Sequence, residues 1–178
     1  LKIYNNNDIF SDNKKLIEML NTFYEYGYVV IKNTKAEENE VINFAEKLGP
    51  VRSTNFGKLF NVVSKPNPND LAYTAIELKS HSDNPYRKPV PGIQLLHCIA
   101  NESTGGDSSL VDGYSISVYL KNNYCDYYKI LTETEVNFRF TDVDVILQDR
   151  AKLIELDSNG NFKQIRFSGR LDYVPLLK

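Results

Sequence analysis

The chain has 178 residues, 42% hydrophobic and 12% aromatic, enough for one domain with a substantial core and unlike collagen-like, disordered or disulfide-scaffold compositions. A formal net charge of −2 without basic runs argues against nucleic acid as the main partner and favours a small molecule. Two cysteines, Cys98 and Cys125, make no disulfide framework, and no apolar run reaches the length of a membrane span or secretory segment, so a reducing cytoplasm is the default expectation.

Taken in chain order, Ser11 can cap a helix to about Tyr26, with Leu16, Ile17, Leu20, Phe23 and Tyr24 on one face and Gly27 as the stop. Tyr28 to Ile31 reads as a buried strand. Thr34-Lys35-Ala36-Glu37 has the pattern of a capping box, and Val41, Phe44, Ala45 and Leu48 continue a helical face up to Gly49-Pro50. Asn61 to Ser64 is predicted as a short strand, followed by a loop at Pro66, Asn67, Pro68 and Asn69. Beyond a turn at Pro85 and another at Pro89 to Gly92, the apolar run Ile93 to Ala100 has the length of a strand, and Gly105-Gly106-Asp107 turns into a further strand at Ser109 to Asp112. Tyr114 to Leu120 and Tyr124 to Leu131 are helical. Strands are predicted at Val136 to Phe140, Leu153 to Leu156 and Phe162 to Phe167, the last two joined by a hairpin through Ser158-Asn159-Gly160. Helices first and short strands later point to an α+β domain with a mainly antiparallel sheet or barrel. The start at Leu1 and the uncapped Leu171 to Lys178 suggest a segment of a longer polypeptide.

Chemistry concentrates at His81-Ser82-Asp83. Residues at i and i+2 of a strand share a face with Cα atoms roughly 6.5 Å apart, so an imidazole and a carboxylate can close on one metal ion. The 2-His-1-carboxylate arrangement of non-haem Fe(II) oxygenases needs such a pair plus one distant histidine. On these residues alone, a surface turn pair joined by a hydrogen bond is the competing explanation. A Zn²⁺ hydrolase is a further one, although no general base is arranged for it.

Four ordered motifs extend the triplet: Ala72-Tyr73-Thr74, then His81-Ser82-Asp83-Asn84-Pro85-Tyr86, then Pro91-Gly92-Ile93-Gln94-Leu95-Leu96-His97-Cys98, and Gly105-Gly106-Asp107-Ser108-Ser109-Leu110-Val111-Asp112-Gly113-Tyr114. With these the chain resembles the γ-butyrobetaine dioxygenase branch of the taurine dioxygenase superfamily over nearly its whole length. The resemblance implies a double-stranded β-helix (jelly-roll) fold, incomplete in this chain, with Fe(II) as metal and 2-oxoglutarate as co-substrate. It implies hydroxylation of a small quaternary amine with release of succinate and CO2.

By the same resemblance His81 and Asp83 are the first two iron ligands, and Ser108 carries the hydroxyl that binds the distal carboxylate of 2-oxoglutarate. Phe56, Phe60 and Tyr73 match an aromatic cage for the ammonium, although on composition alone core packing is the better account of these aromatics, and satisfying the turn after Gly106 is the alternative role of Ser108. Asp70, Asn84 and Ser168 depart from the branch at positions facing the substrate carboxylate, and Asp70 suits an ammonium instead. The third iron ligand and the arginine for 2-oxoglutarate fall beyond Lys178, while His97 lies in a framework segment. A homodimer is a family expectation. The competing class is a non-catalytic module that binds a cationic metabolite in an aromatic pocket.

Overall fold

The computed structural model describes residues 2–63, 78–101, 104–105 and 107–169. They cluster into two compact units, one formed by residues 1–59 with 95–104 and the other by 60–94 with 105–178.

The first unit opens with strand β1 (Ile3–Asn5) and the short helix α1 (Asn6–Ile9), continues into helix α2 (Asn13–Tyr26) and strand β2 (Val30–Lys32), and adds helix α3 (Glu40–Leu48). β1 and β2 are parallel, with Tyr4 opposite Ile31. Helix α2 ends where its sequence says it must, since Gly27 takes the left-handed conformation at φ 77° that a side chain disfavours. Its start differs from expectation. Asp12 is the cap, accepting from the Lys14 N–H at 2.8 Å, whereas the Ser11 hydroxyl donates to the Asp8 carbonyl and closes α1. The Thr34 to Glu37 capping pattern is likewise unused. The Glu37 N–H donates to the Lys35 carbonyl in a tight turn, which delays α3 to Glu40 behind Asn39. Ile9, Met19 and Phe44 form the buried centre, with Tyr4, Phe10, Leu16, Val29, Ile31 and Leu95 packed around it.

The second unit holds helices α4 (Gly113–Asn123) and α5 (Cys125–Glu133), then strands β3 (Glu135–Asp142), β4 (Val145–Lys152), β5 (Ile154–Leu156) and β6 (Phe162–Ile165). β3 and β4 form an antiparallel hairpin in which Phe138 faces Asp149 and Val136 faces Ala151. β5 and β6 pair through the expected turn, where Gly160 has φ 79° and Asp157 accepts from the Asn159 and Asn161 N–H groups. Helix α4 sits close on β6: a Cβ added at Gly113 would lie 2.7 Å from Ile165 Cγ2. Phe138 and Ile154 are fully buried.

The α+β class is as expected, and the described residues carry three two-stranded sheets without a closed barrel. Three predicted strands are not there. Residues 61–63, 93–100 and 109–112 are irregular, and Ser64 lies outside the described residues. An apolar run has the right faces for a strand, but only a neighbouring ladder makes it one. β4, which the sequence reading lacked, is the strand that gives β3 its ladder.

Candidate metal centre

His81 and Asp83 meet. His81 Nε2 lies 3.1 Å from Asp83 Oδ1, with the two side chains 30% and 38% exposed. The other ring nitrogen, Nδ1, is 2.7 Å from the Lys79 carbonyl, which can only accept, so Nδ1 carries the proton. In the neutral ring this leaves the Nε2 lone pair aimed at a carboxylate oxygen, two acceptors face to face. A proton on Nε2 relieves that conflict, and so does a cation held between them. A carbonyl that fixes the tautomer of a ligating histidine is a recurrent device of metal sites. The second carboxylate oxygen, Oδ2, accepts from Gln94 Nε2 at 2.5 Å, so Asp83 is oriented from its far side as well. The 3.1 Å separation is close to the roughly 3 Å edge between adjacent ligands of an octahedral ion with bonds of about 2.1 Å.

The residue between the two ligands holds the triplet down. The Ser82 N–H donates to the Phe167 carbonyl at 2.7 Å, and the Ser82 hydroxyl accepts from the Phe167 N–H at 2.8 Å.

Asn84 follows with φ 49°, and its carbonyl accepts from the Arg87 N–H at 3.1 Å to close a turn. Its side-chain oxygen accepts from the Tyr86 hydroxyl at 2.7 Å, so this candidate substrate residue spends its acceptor on the turn. Tyr86 stacks on Phe140 of β3 with ring centroids 5.1 Å apart.

Ser108 is exposed in irregular backbone ahead of α4. Phe60 belongs to the second unit and is 44% exposed. Phe56 belongs to the first unit and is half-buried, its N–H donating to Thr54 Oγ1 at 3.0 Å. Tyr73 and Asp70 lie outside the described residues. His97 belongs to the first unit, and both its ring nitrogens are buried without a hydrogen-bond partner among the described residues. Among the described residues no three ligating side chains converge.

The sequence reading assigned no role to Ser82, Gln94 or Arg166. Arg166 is 6% exposed and lies 2.6 Å from Asp149 Oδ2 through Nη1. Its signal was in the pattern, since a cation directly after the strand Phe162–Ile165 has to find a carboxylate if buried.

Residues 4–175 match the family described as "Taurine catabolism dioxygenase TauD, TfdA family". The chain is 36% identical over 171 residues to a gamma-butyrobetaine dioxygenase of Pseudomonas sp. (strain AK-1), covering 96% of this chain and 45% of that protein. It is 34% identical over 164 residues to the human gamma-butyrobetaine dioxygenase, covering 90% and 42%. A trimethyllysine dioxygenase of Meyerozyma guilliermondii is 32% identical over 148 residues, or 82% and 37%. The chain thus spans less than half the length of these curated relatives.

Proposed function

Because the chain belongs to the taurine catabolism dioxygenase TauD/TfdA family, we propose that the natural protein is an Fe(II)- and 2-oxoglutarate-dependent dioxygenase. Its substrate is a small quaternary amine, which it hydroxylates with release of succinate and CO2. The observation that carries this is the His81–Asp83 pair, with the lone pair of Nε2 and a carboxylate oxygen 3.1 Å apart and nothing but a proton or a cation able to reconcile them. Both groups are of the kind that non-haem iron takes. Iron held there supplies the activation of oxygen against 2-oxoglutarate.

The chain's own residues do the rest. Lys79 and Gln94 set the orientation of the two ligands, and Ser82 fixes their backbone. The Ser108 hydroxyl donates to the distal carboxylate of 2-oxoglutarate. Phe56, Phe60 and Tyr73 offer ring faces to an ammonium that has no N–H to donate, each good contact worth about 0.5–2 kcal/mol. Asp70 adds a counter-charge, and Asn84 offers its amide nitrogen to the substrate. The third iron ligand and the 2-oxoglutarate arginine come from outside these 178 residues, and both compact units belong to one jelly-roll catalytic domain. The two kinds of relative named above act, by their names, on γ-butyrobetaine and trimethyllysine, which share a trimethylammonium group.

Anaerobic calorimetric titration with Fe(II) tests the site. One equivalent should bind to the natural-length protein and to neither His81→Ala nor Asp83→Ala. Equal binding by all three proteins sinks the assignment of these ligands.

A further inference from the structure

We infer that Arg166 is the positioning residue of the His81–Asp83 pair, fixing the loop that carries both ligands without touching either. The inference rests on the metal-site reading above. Arg166 Nη1 donates to the Pro85 carbonyl at 3.1 Å and sits 3.5 Å from the Arg87 carbonyl. The next residue in sequence, Phe167, exchanges hydrogen bonds with Ser82 on the other side of Asp83. Two consecutive residues therefore grip the loop at both ends, Phe167 before Asp83 and Arg166 after it. The loop itself is irregular, so these grips stand in for a ladder.

Arg166 can do this because it is itself held rigidly. Nη1 is 2.6 Å from Asp149 Oδ2 of β4, and Nε is 2.8 Å from Glu155 Oε1 of β5, a close ion contact although its N–H is not aimed along that line. Its backbone N–H donates to the Leu153 carbonyl at 2.8 Å, extending the β5–β6 ladder by one residue. Two carboxylates against one buried guanidinium leave a negative charge, which Lys163 meets at the surface, 3.9 Å from Glu155. The site asks for a fork: one cation must reach two carboxylates and two carbonyls, a task for planar guanidinium and beyond a single ammonium. Groups that orient metal ligands commonly change affinity about 10–100-fold when removed.

The test uses the natural-length protein with Co(II) as the probe, its binding read by titration and by its visible spectrum. Backbone hydrogen exchange is followed in residues 81–87 and in β3–β4. Arg166→Lys should weaken Co(II) by about 10-fold or more, alter the spectrum, and speed exchange at Ser82, Arg87 and Phe167 while β3–β4 keeps its protection. Asp149→Asn, which leaves Arg166 in place with a neutral partner, should shift all readouts the same way by less, and serves if the Arg166 variant does not fold. Wild-type affinity, spectrum and loop exchange in both variants overturn the inference while leaving the metal site standing. Exchange that rises as much in β3–β4 as in the loop also overturns it, because Arg166 then acts on stability alone. Absence of Co(II) binding in the wild type, or binding indifferent to His81→Ala, removes the metal-site reading, and the positioning role fails with it.

Discussion

Gly113→Ala should destabilise the protein through the seat of α4 on β6. The new Cβ would lie 2.7 Å from Ile165 Cγ2 and 3.5 Å from its Cβ, about 1 Å inside the roughly 3.5–4.0 Å of ordinary carbon contact. Ile165 is a strand residue paired with the buried Ile154, so neither backbone yields freely. Overpacking of this kind costs about 1–3 kcal/mol. Alanine returns up to about 1 kcal/mol through helix propensity, and less at the first helical residue. A net loss of about 1–2 kcal/mol follows, or a fall in Tm of roughly 2–8 °C at this chain length. Chemical denaturation followed by circular dichroism measures it. Because Ile165→Ala removes the clashing Cγ2, the double variant should recover about 1 kcal/mol or more relative to the sum of the single changes. An alanine variant as stable as the wild type, with additive single effects, refutes the packing account. The consequence reaches the site, since β6 delivers Arg166.

The Asp112 carboxyl is held below its ordinary value of 3.8, first by the Ser115 hydroxyl and less by the Ser115 and Tyr114 N–H groups. A lowered folded-state value means stability that is complete above the ordinary value and lost as pH falls on through the lowered one, so Asp112→Ala should lower Tm more at pH 7 than in acid below that value. The sign is the same for Asp157, held low first by the Asn161 backbone N–H, which alanine at that position would keep, so Asp157→Ala should likewise lower Tm more at pH 7 than in acid in a pair of thermal melts. Gln94→Leu removes the hydrogen bond to Asp83 Oδ2 and should weaken divalent metal by about 10-fold without a change in Tm, as read by titration. Gly160→Ala forces a side chain to φ 79° in the β5–β6 turn and should cost about 1–2 kcal/mol in denaturant melts.

Local signals were legible where one residue decides. Gly27 stops α2 and Gly160 turns β5 into β6, each by a left-handed backbone. The helices at Gly113–Asn123 and Cys125–Glu133 and the pair His81–Asp83 were likewise readable from spacing. What failed needed a distant partner. Residues 93–100 have the composition of a strand without the regular structure of one. β4 was missed because Gln148, Asp149 and Arg150 interrupt its apolar alternation. Asp149 shares a sheet face with Leu147 and Ala151 only because Arg166, seventeen residues on, neutralises it. Gln94 and Ser82 gain meaning from contacts across eleven and eighty-five residues, which no local pattern encodes.

His81 and Asp83 are proposed to serve an iron oxygenase acting on a quaternary amine. The most direct measurement is succinate formation from 2-oxoglutarate by the natural-length protein, with Fe(II) and oxygen, across a panel of trimethylammonium compounds. Succinate that depends on one of these amines, and disappears in His81→Ala and Asp83→Ala, is the predicted result. Binding of a trimethylammonium compound that iron and 2-oxoglutarate leave unchanged, with no succinate formed, contradicts the account and leaves a binding module in its place.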